Sequence, residues 1–175
     1  MTEAVNEARA ARRAASESGG KFLTFFLGEE EYGLEILRVS EIIGMMSITP
    51  IPRTDTYVRG VINLRGKVIP VIDLRLKLGM PAIDATEETC IIVVSVKGAP
   101  MGVIVDKVSE VLDIEGSKIE EPPTFGADVN TDFILGIGKS EGRVKLLLDI
   151  DKVLSNGEVA DLQSVLDQAQ EPVLA

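Results

Sequence analysis

Residues 60–78, GVINLRGKVIPVIDLRLKL, decide the fold of this chain. Two apolar runs rich in Val and Ile, residue types that favour β-strands, flank a Leu-Arg-Gly corner. Gly66 can take the positive φ that a tight reversal needs, and Pro70, which has no amide hydrogen, is expected at an open edge or a bulge. Asp73 stands where the second run ends and can cap a short helix. The stretch therefore predicts a β-hairpin followed by a turn of helix.

The same pattern returns later in the chain. Residues 136–154 read GIGKSEGRVKLLLDIDKVL and align with residues 60–78 without a gap. In this repeat Gly60 matches Gly136, Gly66 matches Gly142 and Asp73 matches Asp149. A second repeat lies upstream, where Gly33 matches Gly102 and Glu41 matches Glu110. Both repeats occur in the same order, which predicts two copies of one unit, at about 22–78 and 91–154.

The repeat predicts a mainly β protein made of two small β-barrels with short helices. Each copy alone is of a size at which a domain is only marginally stable, so we expect the two barrels to share a core of Val, Ile and Leu. The predicted segments are a disordered tail at 1–20, barrel one at about 22–88, barrel two at about 89–154, and a C-terminal helix and tail at 158–175. The pattern leaves open whether the first strands are exchanged between the two copies.

Composition and charge exclude several classes of partner. The formal net charge of -10 disfavours nucleic acid or an anionic membrane surface as a direct partner. There is no apolar run long enough to span a membrane and no signal peptide, and a single cysteine points to a reducing compartment. We therefore expect a cytoplasmic protein with no membrane insertion.

The chemistry of the side chains predicts a binding module without a cofactor. The chain has no histidine, which excludes a His metal site and a His general base, and it has no phosphate-binding glycine motif. We therefore expect no catalytic residue and no metal. Asp73 and Asp149 leave one alternative open, a small β-barrel enzyme with paired acids, but their matched places before short helices favour capping.

Three stretches resemble the CheW family of chemotaxis coupling proteins. They are Gly60 with NLRGKVIPVIDLR at 63–75, EYGLEI at 31–36, and MGVIVDKV at 101–108. The similarity covers residues 21–157 and implies a pair of SH3-like five-stranded β-barrels. It implies an adaptor that couples transmembrane chemoreceptors, the methyl-accepting chemotaxis proteins, to the histidine kinase CheA. In this family the kinase's regulatory domain pairs barrel to barrel with the adaptor, and the receptor's cytoplasmic signalling tip docks between the barrels.

The resemblance also implies which residues bind partners. These are Ile36, Val39, Glu41, Gly60, Arg65 and Val68. The second copy has Ser140 and Glu141 where the first has the arginine, so partner specificity is assigned to the first copy alone. The alternative for Arg65 is a salt bridge or a carbonyl clamp between the barrels. For the whole protein, which we expect to be monomeric when free, the alternative is a scaffold of a related array such as one for twitching motility.

Overall fold

The computed structural model describes residues 20–121, 132–140 and 142–170. The predicted tail at 1–20 lies outside these residues, apart from Gly20. Strands dominate the described part of the chain, and their bounds are β1 Gly20–Leu27, β2 Glu30–Glu35, β3 Val39–Gly44, β4 Val58–Leu64, β5 Lys67–Asp73, β6 Cys90–Val96, β7 Ala99–Val105, β8 Lys107–Ile114, β9 Ile119–Glu120, β10 Ile134–Ser140 and β11 Arg143–Leu148.

Three helices and two 3-10 turns accompany the strands in the part of the chain that the structure describes. The helices are α1 Leu74–Lys77, α2 Ile150–Val153 and α3 Asn156–Gln170, and the 3-10 turns are Ile36–Arg38 and Gly116–Lys118. The hairpin followed by a turn of helix, and the C-terminal helix, are thus confirmed. Within the described residues, no helix is both long enough and apolar enough to cross a membrane.

The strands form two sheets through an exchange between the two halves of the chain. The described residues within 20–39 and 107–153 form one compact unit, here called unit 1, whose sheet has the order β8-β1-β2-β11-β10-β9. Residues 40–106 and 154–170 form unit 2, with the order β3-β6-β7-β5-β4. The contiguous division at about 22–88 and 89–154 is therefore corrected, because the first two strands of each half pair with the other half.

Each sheet closes on itself through one interrupted strand. In unit 2 the chain continues from β3 to Thr49, whose amide and carbonyl bond those of Val61 in β4, at 2.9 Å each. In unit 1 the chain continues from β8 to β9, where Glu120 pairs with Ile137 of β10. Counting an interrupted strand once, each unit has the five strands of the SH3-like barrel that was predicted.

The hydrogen bonds and strand registers confirm the internal repeat. The amide of Asp73 donates to the carbonyl of Tyr57 at 2.7 Å, and that of Asp149 donates to Phe133 at the same distance. The parallel pairs match as well, with Val71 opposite Gly102 in unit 2 and Leu147 opposite Gly33 in unit 1.

Pro70 lies in an internal strand, so the expectation of an open edge or bulge at this residue was wrong. β5 pairs with β4 on one side and with β7 on the other. Pro70 stands opposite Val61, whose amide and carbonyl both bond Thr49 on the side away from β5. The pairing with β4 therefore requires no amide hydrogen from Pro70. On the other side, the described pairing with β7 begins only at Val71.

Each unit contains its own cluster of buried apolar side chains. The cluster in unit 2 is Ile62, Ile69, Val71, Ile91, Val93 and Ile104. The cluster in unit 1 is Phe22, Ile114, Ile119, Leu135 and Leu147. Strand β1 contributes most of its length to the interior, because β2 and β8 pair with it on both sides. A core shared by the two barrels stays a prediction.

A buried ion pair joins the two parallel strands of unit 1. Lys145 of β11 lies opposite Glu31 of β2, with its Nζ 3.0 Å from the Glu31 Oε2 atom. The two side chains are only 3% and 8% exposed, and Nζ also donates to the carbonyl of Ser140 at 3.3 Å. A charge removed from water needs this kind of compensation, so the two residues depend on each other.

We expect Lys145→Met alone to lower the free energy of unfolding by about 3 to 5 kcal/mol, because it leaves the Glu31 carboxylate buried without its partner. The double variant Lys145→Met/Glu31→Leu is expected to recover most of this loss, since it removes both charges. Urea unfolding of the wild type, both single variants and the double variant measures the coupling. A double variant as unstable as the sum of the single variants would contradict this account.

Candidate functional site

The structure brings two of the predicted partner-binding residues into contact in unit 2. Nη2 of Arg65, in the turn between β4 and β5, donates a hydrogen bond to Oε1 of Glu41 in β3. The Arg65 side chain is 70% exposed, whereas that of Glu41 is 31% exposed. A cation that protrudes this far is held in place by the carboxylate and still faces water on most of its surface.

The turn that carries Arg65 has the geometry of a two-residue hairpin turn. Arg65 and Gly66 have φ values of 53° and 86°, the left-handed conformation at both central positions that marks a two-residue hairpin turn. The side-chain oxygen of Asn63 accepts the amide hydrogen of Gly66 at 2.8 Å and braces the corner from inside. Val68, another predicted residue, is half-buried in β5 opposite Asn63. The Arg65 side chain therefore starts from a fixed backbone.

Gly60 has a structural reason for its identity. Its φ is 139°, and a Cβ atom there would stand 2.0 Å from the carbonyl oxygen of Thr49. This is the residue whose hydrogen bonds to Val61 close the barrel. Gly136, the matching residue of unit 1, sits at a similar shift of register, and a Cβ there would meet Glu120 and Ile119. Both glycines therefore permit barrel closure.

The remaining two predicted residues lie at the start of an exposed 3-10 turn and directly after it. Ile36 is in the 3-10 turn and Val39 begins β3, and both are half-buried. Leu37, which lies between them, is 92% exposed. The pattern of the sequence did not single out this residue. Arg38 forms an ion pair with Asp151 at the start of α2 and fixes the turn to unit 1. The turn therefore presents an apolar side chain on an anchored backbone.

The two aspartates of the enzyme alternative cap helices. Oδ1 of Asp73 accepts the amide hydrogens of Arg75 and Leu76 at 3.0 and 3.4 Å, and Oδ1 of Asp149 accepts that of Asp151 at 3.0 Å. Burial raises the pKa of Asp149. The two carboxyl groups belong to different units, and each serves its own helix, which supports capping over paired acid chemistry. In the described part of the chain, no group of His, Cys, Asp and Glu side chains is arranged to hold a metal ion.

A polar cluster fixes the C-terminal helix to unit 2. Glu158 of α3 accepts hydrogen bonds from the Tyr57 hydroxyl and, at 2.6 Å, from Lys77 Nζ, which lies 4.5 Å from the centre of the Tyr57 ring. Burial works to raise the pKa of Glu158, but the hydrogen bonds from Lys77, Tyr57 and the Ser155 amide outweigh it and lower this pKa to about 2. Burial is the main cause that raises the pKa of Tyr57, and the hydrogen bond to Glu158 raises it further.

The start of α3 carries a signal that the sequence analysis overlooked. Ser155 Oγ accepts the amide hydrogen of Glu158 at 3.1 Å, and Glu158 Oε1 accepts that of Ser155 at 3.0 Å. This reciprocal pair is a capping box, and its Ser-x-x-Glu pattern is visible in the sequence. The helix therefore begins at Asn156, two residues before the predicted start.

Comparisons with known proteins agree with this architecture. The profile of the family described as CheW-like domain matches residues 21–158. The chemotaxis protein CheW of Klebsiella aerogenes is 38% identical over 158 residues, which cover 90% of this chain and 95% of that protein. The chemotaxis protein CheW of Bacillus subtilis is 36% identical, with 89% and 99% covered. The crystal structure of the scaffolding protein TtCheW from Thermoanaerobacter tengcongensis is similar with a TM-score of 0.73 and 37% identity, covering 79% of this chain and 94% of that one.

Gly60→Ala is expected to destabilise the protein by about 2 to 4 kcal/mol, from backbone strain at a positive φ and the collision with Thr49. Gly66→Ala is the matched control, since it has a positive φ of 86° but no atom near the position of the added Cβ. Thermal unfolding of both variants separates strain from collision. Equal losses would show that the approach of Thr49 does not matter.

The low pKa of Glu158 predicts a stability that depends on pH. A carboxyl group with a lowered folded-state pKa stabilises above its unfolded value of 4.5, and the gain disappears as the pH falls towards 2. The difference in melting temperature between the wild type and Glu158→Gln should therefore be largest above pH 5 and shrink between about pH 4.5 and pH 2. A difference that stays constant over this range would contradict the role of the charge.

Proposed function

Since this chain belongs to the CheW family of chemotaxis proteins, we propose that it is a non-enzymatic adaptor that couples chemoreceptors to the histidine kinase CheA. The receptors are the transmembrane methyl-accepting chemotaxis proteins, and the adaptor acts in the cytoplasm, where receptor arrays recruit it. One protein must then bind both the cytoplasmic signalling tip of the receptor and the regulatory domain of the kinase. The family match covers almost all of the described chain and supports this role.

The contact between Arg65 and Glu41 is the observation that carries the proposal. Both residues were assigned to partner binding, and the fold brings the β4–β5 turn into contact with β3, although the two residues are 24 positions apart in the sequence. The barrel itself does not need the cation, because the matched turn of unit 1 has Ser140 and Glu141 at the corresponding place in the sequence. An exposed arginine kept in one copy is better explained by a partner.

The chemistry of the guanidinium suits a helical receptor tip. A guanidinium has five N–H donors in a fixed planar arrangement, and the hydrogen bond to Glu41 comes from Nη2. Glu41 orients the group, so less conformational entropy is lost when a carboxylate or a backbone carbonyl of the partner binds it. Arg65 is therefore the residue on which we expect receptor recognition to depend most.

Contacts with the kinase are proposed for the apolar and backbone features near the same hairpin. Gly60 and Val68 lie in the hairpin that the family resemblance assigns to the kinase side. Ile42 of β3 is 45% exposed and Met46 just after it is 36% exposed, so this unit offers apolar side chains for a protein contact. The kinase's regulatory domain has the same fold, which suits a pairing of one barrel with another.

Arg65→Ala should weaken receptor or kinase binding by about 1 to 3 kcal/mol, the usual cost of losing a charged hydrogen bond at an interface. It should leave the melting temperature almost unchanged, because the side chain is 70% exposed. Arg65→Lys should restore only part of the affinity, since a single ammonium group cannot make the paired contacts of a guanidinium. Titration calorimetry with a receptor signalling fragment and with a CheA regulatory domain measures both affinities.

Arg143→Ala is the control, because Arg143 is another exposed arginine, at the start of β11 in unit 1. Its binding should equal that of the wild type. Normal binding by Arg65→Ala together with a much lower melting temperature would make Arg65 a structural clamp. A wild-type protein that binds neither partner would overturn the adaptor role itself.

A further inference from the structure

Two hairpin turns of unit 2 carry cations at their tips. The turn between β4 and β5 contains Arg65, and Lys67 follows it at the first position of β5. The turn between β6 and β7 contains Lys97. All three side chains are exposed. The chain has a formal net charge of -10, and of these three exposed cations Arg65 is paired with Glu41.

The sheet order places these two turns next to each other. β5 and β7 are neighbouring parallel strands with Val71 opposite Gly102, and counting back four residues from this pair sets Lys67 level with Gly98. Neighbouring strands are about 4.8 Å apart, so the two turns extend from the same end of the sheet, side by side. We call the three cations Arg65, Lys67 and Lys97 the basic tip.

The backbone conformation at Arg65 and Lys97 indicates that these two side chains have a role beyond the fold. Arg65 and Lys97 have φ values of 53° and 50°, in the left-handed region that favours Gly, Asn or Asp at the first position of such a turn. A long side chain there costs of order 1 kcal/mol. A glycine or asparagine would suit the backbone better at both positions, so these long cationic side chains are candidates for a role beyond the fold.

At the position of Lys97 the fold does not require a cation. Gly28 of unit 1 corresponds to Lys97 in the repeat, has a φ of 63°, and is followed by exposed Glu29. Lys67, in contrast, is matched by the exposed Arg143 of unit 1. Lys97 is therefore the cation of this pair that the barrel alone does not explain.

We propose that the basic tip is a docking surface for an acidic helical face of the receptor signalling tip, with Lys67 and Lys97 extending the contact that Arg65 makes. This inference rests on the proposed adaptor function and adds the chemistry of the partner. An array of carboxylates one helical turn apart fits cations carried on neighbouring strands. A membrane surface is disfavoured, because an anionic bilayer repels a protein of net charge -10 and three cations add only about 1 kcal/mol each.

The test compares Lys67→Gln/Lys97→Gln with the control Lys21→Gln/Lys118→Gln. The control removes the same charge from exposed lysines of unit 1. Binding of the full chain to a receptor signalling fragment and to a CheA regulatory domain is measured at about 50 mM and 300 mM salt. We expect the basic-tip variant to bind the receptor fragment about three- to thirty-fold more weakly at low salt, with a smaller difference at high salt. Its melting temperature should stay as in the wild type. Its affinity for the kinase domain, whose proposed contacts in this hairpin are Gly60 and Val68, should fall less than its affinity for the receptor fragment.

Each other outcome overturns a distinct statement. Equal receptor affinities for the basic-tip variant and the control, in a wild type that binds both partners, would reject the basic tip and leave the adaptor role intact. A wild type that binds neither partner would reject the adaptor role and the basic tip together. Loss of binding to vesicles containing phosphatidylserine, with receptor affinity unchanged, would make the basic tip a membrane contact. A variant that changes only self-association in sedimentation would make it a contact between two copies of this chain.

Discussion

The parallel pairing of β2 with β11 is the interaction on which the arrangement of the chain depends. It puts Glu31 opposite Lys145, and both are buried. The corresponding positions of the pairing between β5 and β7 are Ile69 and Pro100, by extension of the register. If β2 paired with its own half instead, Glu31 would face Ile69 and Lys145 would face Pro100, and two buried charges would lack partners at a cost of several kcal/mol each. The ion pair therefore favours the exchanged arrangement.

The repeat was predictable from the sequence, whereas the exchange was not. Gly33 recurs as Gly102 and Gly60 recurs as Gly136, at positions where an added Cβ atom would come within 3.0 Å of a neighbouring atom, and these requirements appear at matching spacings in the two copies. Two similar halves, however, offer similar strands to each other, so periodicity cannot tell one partner from the other. The contact between Glu31 and Lys145 distinguishes the two possible strand pairings. These two residues are far apart in the sequence, and each resembles an ordinary strand residue before the fold is known.

The candidate site was also predictable only in part, because its contacts join parts of the chain that are distant in the sequence. The resemblance identified Arg65 and Glu41 separately, but their contact depends on how β3 and the hairpin lie in the closed barrel. The exposure of Leu37 likewise follows from tertiary structure. The capping box at Ser155 and Glu158 is local and could have been predicted from the sequence. The contacts of Glu158 with Tyr57 and Lys77, in contrast, join distant parts of the chain. Local chemistry is readable from sequence, and long-range pairing requires the fold.

A protein built from two copies of one barrel provides its own comparison between structure and function. Features that both copies keep, such as the helix caps at Asp73 and Asp149, serve the barrel, because the barrel is what the copies have in common. Features that one copy alone has need another cause, and the cation in the turn after β4 is the clearest of them. This turn is braced by Asn63 and fixed at a positive φ, so a partner meets a preorganised surface. For the adaptor role proposed above, an ordered turn of this kind reduces the conformational entropy that is lost when a partner binds.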